Sequence, residues 1–111
     1  NLGEQRDANY PVVLASVIAS GLGNHAKAQQ LIAPVVAFER GLYERKDNED
    51  LTQRIEYAQA LYASALANPA TRGQVLKQAA GLIDGLPAPM RSLKSVARLR
   101  GAIAAGQRGA G

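Results

Sequence analysis

A chain of 111 residues with 47% hydrophobic and 20% charged residues is one domain's worth and too apolar for wholesale disorder. It has no cysteine, which excludes a disulfide framework, a thiolate zinc site and a cysteine nucleophile. The net charge of +4 is uneven: residues 1–56 hold six basic against eight acidic residues (net −2), and residues 57–111 hold seven against one (net +6).

Aromatics are only 5% and Trp is absent, so the core must be built from Leu, Ile, Val and much Ala. Ala is the best helix former, and this composition predicts an all-α chain. No apolar run approaches the ~20 residues of a membrane span, so no membrane insertion is expected. A start at Asn1, with Met90 the only methionine, predicts a piece of a longer or processed chain. The expected location is the cytoplasm, or the periplasm if the parent chain is membrane-anchored.

Residues 1–10 read as an extension or the end of a preceding element. The stretch from Pro11 to Glu39 then admits two readings. In the first, the apolar run Val12 to Ala19, the turn Gly21-x-Gly23-x-x-Ala26 and the run Val35 to Phe38 ending in Glu39 outline a dinucleotide-binding unit. That unit would belong to an oxidoreductase fragment. Its helix, Ala26 to Ile32, has only about two turns, short for a crossover unit of ~30 residues or more. No strand candidate follows in 49–105 to extend the sheet. In the second reading, preferred for that reason, a helix over 12–22 meets a helix over 24–46 at Gly23. The second of these carries the stripe Leu31, Val35, Phe38, Leu42 and is expected to kink at Pro34.

Farther along, Asp47 or Asn48 is expected to cap a helix over 49–67, with Glu49 and Asp50 in its first turn. Leu51, Ile55, Ala58, Tyr62 and Ala65 form its apolar stripe, and Asn68-Pro69 ends it. A helix over 70–84 follows, with Val75, Leu76, Ala79, Leu82, Ile83 and Leu86 at helical spacing, closed by Gly85 and Pro87. The last helix is expected over 89–105, with Leu93, Val96, Ala97, Ile103 and Ala104 inward. Residues 106–111 read as a mobile tail.

Within this series "GNHAKAQQLIAPVV", Gly23 to Val36, resembles the turn and second helix of a tetratricopeptide repeat. Gly23, Asn24, His25, Ala28 and Ile32 occupy the motif's positions, and Ala79 with Ile83 repeats its last spacing 51 residues on, against a usual period of ~34. The resemblance implies a five-helix, right-handed array of antiparallel helix hairpins over 11–105, with a C-terminal capping helix. It implies a non-catalytic interaction or regulatory scaffold, of a kind often appended to signalling enzymes, with no cofactor. The implied partner is a protein or peptide, or the remainder of the parent chain, held in a groove lined by first-type helices.

If the helix from Glu49 is of that first type, its face opposite the stripe lines the groove. That face carries Gln53, Glu56, Tyr57, Ala60 and Ser64, with Tyr57 as the anchoring aromatic. On the last helix Arg91, Lys94 and Arg98 fall together, opposite Leu93, Val96 and Ile103. They read as the solvated outer face of a cap; a surface for nucleic acid or another polyanion is the alternative. Arg100 projects among apolar residues and is expected to snorkel or to pair with Asp84. The lone His25 reads as a spacer or capping residue. "DNED", Asp47 to Asp50, lacks the spacing of a calcium loop, and "GAIAAGQR", Gly101 to Arg108, lacks the Lys-Ser/Thr of a phosphate loop.

Overall fold

The computed structural model describes residues 2–45 and 50–110. The protein is all-α. Six α-helices follow in order among these residues: α1 (Leu2–Gly21), α2 (His25–Tyr43), α3 (Leu51–Ala67), α4 (Arg72–Asp84), the single turn α5 (Ala88–Arg91) and α6 (Lys94–Ala110). A 3-10 turn, Pro69–Thr71, joins α3 to α4.

The α1–α2 junction shows why Gly23 is glycine. Its φ of +81° lies in the left-handed region, which closes a helix cheaply only without a Cβ. Gly23 N–H donates to Ser20 O (3.0 Å) and Asn24 N–H to Ala19 O (2.8 Å), so the last carbonyls of α1 are satisfied. The Asn24 side chain then accepts from Lys27 N–H at 3.2 Å and starts α2. Just beyond, Ser16 Oγ, fully buried, donates to Ala28 O at 3.0 Å and ties the two helices where Ala28 lets them approach.

Three further pairs run antiparallel. Gln29, early in α2, donates to Ala67 O at the end of α3 (2.9 Å), while Gln53, early in α3, donates to Glu39 O late in α2 (2.9 Å). Arg72, opening α4, donates from Nε to Ala65 O and from Nη2 to Leu66 O, which satisfies carbonyls that α3 leaves open at its end. Early in α4, Leu76 faces Gly106 late in α6, and Asp84 at the end of α4 meets Arg100. Helix α3 is central and touches α1, α2, α4 and α6. Ala58, Ala60, Ala63, Ala65 and Ala67 on it are all fully buried, the small side chains allowing close approach on several sides.

Several expected boundaries move. Helix α1 begins at Leu2, so Pro11 sits inside it instead of opening it. A proline there removes one backbone hydrogen bond, and its exposed position leaves the freed carbonyl to solvent. Pro34 likewise lies on the exposed side of α2, which runs unbroken from His25 to Tyr43, and Val35 to Phe38 are helical. The cap of α3 is Asp50, whose side chain accepts from Thr52 N–H (3.0 Å) and Gln53 N–H (3.3 Å). Lys46, Asp47, Asn48 and Glu49 lie outside the described residues.

The expected last helix divides: Ser92 Oγ donates to Ala88 O at 3.1 Å, a local bond that competes with helix continuation, and α6 restarts at Lys94. Residues 106–110, expected as a tail, are helical, and Gly106 lies against Leu76; Gly111 is outside the described residues. The buried face of α6 is Val96, Leu99 and Ile103, whereas Leu93, expected inward, is 51% exposed.

Candidate functional site

The phosphate-loop reading of Gly21-x-Gly23 fails on its amides. A loop that cradles phosphate leaves consecutive N–H groups free for the ligand. Here Leu22, Gly23 and Asn24 donate to Ile18, Ser20 and Ala19 carbonyls, and the Asn24 side chain takes Lys27 N–H. No strand occurs among the described residues, so the strand–turn–helix–strand outline is replaced by a helical hairpin.

One concavity is a cleft of about 410 Å³ bounded by α1, α2, α3 and the start of α6. Its walls come from Asp7, Asn9, Tyr10 and Val13 of α1, Val35 and Glu39 of α2, Thr52, Ile55, Glu56 and Gln59 of α3, and Ser95 of α6. The α3 contribution follows a three- or four-residue step and so forms one helix face. Three carboxylates, Asp7, Glu39 and Glu56, come from three different helices, and among the described residues no Lys or Arg lines the cleft. Val13, Val35 and Ile55 supply apolar wall. Among the described residues no group of three or more His, Asp or Glu is arranged to hold a metal ion.

Two polar side chains shape this cleft from beneath. Glu39 is 2% exposed, and Gln53 Nε2 donates to both its backbone O (2.9 Å) and its Oε2 (3.3 Å). Asn9 is also buried; its Oδ1 accepts from Gln5 Nε2 at 3.0 Å, while its Nδ2 has no acceptor among the described residues. Sequence reasoning missed both residues. Glu39 was legible, since Ala28, Ile32, Val35 and Glu39 follow one helical stripe.

The expected groove residues on α3 separate. Only Glu56 faces the cleft. Gln53 and Tyr57, expected on an exposed face, are buried at 3% and 7%, because α2 covers that side of α3. Tyr57 Oη accepts from Arg40 Nε at 3.1 Å, and its ring lies 5.3 Å from that of Tyr43, tilted by 42°. This hydrogen bond, with the phenol's charge interaction, raises the Arg40 guanidinium above its ordinary value. Tyr57 thus packs within the domain instead of standing on an exposed face. Ala60 is fully buried, and Ser64 is half-buried and outside the cleft.

The basic set separates too. Lys94 and Arg98 stand exposed one turn apart on α6, whereas Arg91 belongs to α5, is half-buried, and has a buried Nε without an acceptor among the described residues. Arg100 Nε meets Asp84 Oδ1 at 3.4 Å, as expected of the pair, with both side chains more than half exposed. No helix among the described residues is long and apolar enough to cross a membrane.

No family model, curated protein or solved structure matches this chain.

Proposed function

We propose that the chain is a non-catalytic, tetratricopeptide-like interaction domain whose cleft between α1, α3 and the start of α6 takes a peptide segment carrying a basic side chain. The observation that carries this reading is the cleft itself, an apolar-walled concavity to which α1, α2 and α3 each bring an acidic residue, Asp7 among them exposed. A Lys or Arg from a partner finds the exposed Asp7 carboxylate there, and its aliphatic stem finds Val13, Val35 and Ile55. The motif around Gly23, Ala28 and Ile32, together with antiparallel neighbours along the chain, supports the repeat-like assignment.

Screening a displayed peptide library against the chain tests it. Enriched peptides should share a basic residue, and Glu56→Gln or Asp7→Asn should weaken them by about 5- to 30-fold, the loss of one screened charge contact. Enrichment indifferent to charge, or binding that both variants leave intact, would refute the reading.

A second reading rests on Lys94 and Arg98, exposed in the half of the chain with seven basic residues to one acid. It makes α6 a polyanion-binding face. Retention on heparin that falls steeply with salt and is lost in a Lys94→Glu/Arg98→Glu variant would favour it.

A further inference from the structure

Helix α1 carries more apolar surface than the domain uses. Ser16 and Ala19 face inward, and Val12, Val13 and Val17 pack against the core from its margin. Yet Tyr10, Leu14, Ile18 and Leu22 stand outside at 62%, 46%, 62% and 80% exposure. They recur every four residues and form one continuous ridge along the helix. No charged residue occurs anywhere from 8 to 24. A helix apolar on all sides is ordinarily covered on all sides.

We propose that this ridge is the interface of a symmetric dimer, α1 of one copy packing against α1 of a second. A partner for this face must be uncharged and must present both a ridge of large apolar side chains and a row of small ones to receive it. Helix α1 presents both, because Pro11 and Ala15, exposed beside the ridge, leave a shallow groove along it. Ridges of the four-residue type interlock with their own kind at a crossing of about −50°. A two-fold axis brings such a ridge into the groove of its copy and the reverse, which makes the surface self-complementary.

The area agrees. The four residues leave on the order of 450 Å² accessible per copy. Doubled by symmetry, that is about 900 Å², the size of a weak, reversible interface. The ridge meets the cleft at Tyr10, whereas Leu14, Ile18 and Leu22 do not line it, so substitutions at those three positions test the ridge apart from the cleft.

Sedimentation velocity on the 111-residue chain, from low micromolar to submillimolar concentration, tests it. The chain should pass from monomer to dimer with little dependence on salt. Ile18→Glu should raise the dissociation constant by more than about 100-fold, since its carboxylate would be buried unpaired in the interface. Leu22→Glu, at the most exposed position of the ridge, should act in the same direction without touching the core, which guards against loss of folding in the first variant. Helical circular dichroism of both variants should match the parent. A parent that stays monomeric throughout overturns the proposal, and so does a dimer indifferent to both substitutions. Amide protection of residues 10–22 in a longer, monomeric form of the protein would assign the ridge to another segment and overturn it equally.

Discussion

Two glycines on α6 differ in what stands opposite them, and replacing each with alanine brings out that difference. At Gly101 a Cβ would meet nothing within 4 Å; at Gly106 it would lie 2.9 Å from Leu76 Cδ1 and 3.7 Å from Cδ2. Carbon atoms settle at about 3.5–4.0 Å, so the first of these contacts is an overlap. Leu76 is fully buried and has no solvent into which to swing. Gly101→Ala should therefore show the plain helix-propensity gain, about 0.5–1 kcal/mol. Gly106→Ala gains less, being near the helix end, and carries an overpacking cost of about 1–3 kcal/mol.

The two variants should thus separate by about 1–3 kcal/mol, with Gly101→Ala above the parent and Gly106→Ala at or below it. For a domain of this size each kcal/mol moves Tm by about 4 °C, so thermal and urea melts followed by far-UV circular dichroism resolve the difference. Shortening the opposing side chain in Leu76→Val/Gly106→Ala should recover part of the loss, with a coupling of about 1 kcal/mol across the cycle. Equal stabilisation by the two alanines would refute the reasoning, because it would mean that the end of α6 does not rest on α4.

Three other outcomes follow from the packing. Gly23→Ala should cost about 1–2 kcal/mol in urea melts, since φ +81° is strained for any Cβ, with Gly23→Asn less harmful. Ser16→Ala should cost about 0.5–1.5 kcal/mol by the same assay, the net worth of one buried hydrogen bond to Ala28 O. Arg100→Ala should change stability by less than about 0.5 kcal/mol and be neutral in high salt, because the pair with Asp84 is more than half exposed.

Helix content and the α4 face were legible in the sequence, because Leu76, Ala79, Leu82, Ile83 and Leu86 all sit at helical spacing and are all buried. The hairpin at Gly23 was legible for a similar reason, a glycine followed by a capping asparagine. The α3 groove face was not. A helix packed by four others buries residues all round, and Ala cannot distinguish an inner side from an outer one by hydropathy. Tyr57 and Gln53 therefore looked like surface, while Ile55 of the expected core stripe became a cleft wall. The boundaries at Leu2 and Lys94 depended on local competition: tolerance of Pro11 at a solvated position, and a Ser92 hydroxyl bonding the backbone. Such competition is settled by tertiary context, which composition does not carry.

The central place of α3 also sets the order in which the molecule is expected to assemble. Most helix pairs that pack are neighbours along the chain, so loop closure costs little and folding should be fast. Because α1, α2, α4 and α6 all lean on α3, none has its full set of contacts until α3 is in place. The two ends, by contrast, each have fewer supports and can open without unravelling the middle. Amide exchange should accordingly be slowest along Tyr57 to Ala67 and fastest in the outer turns of α1 and α6, a gradient of local opening within one domain.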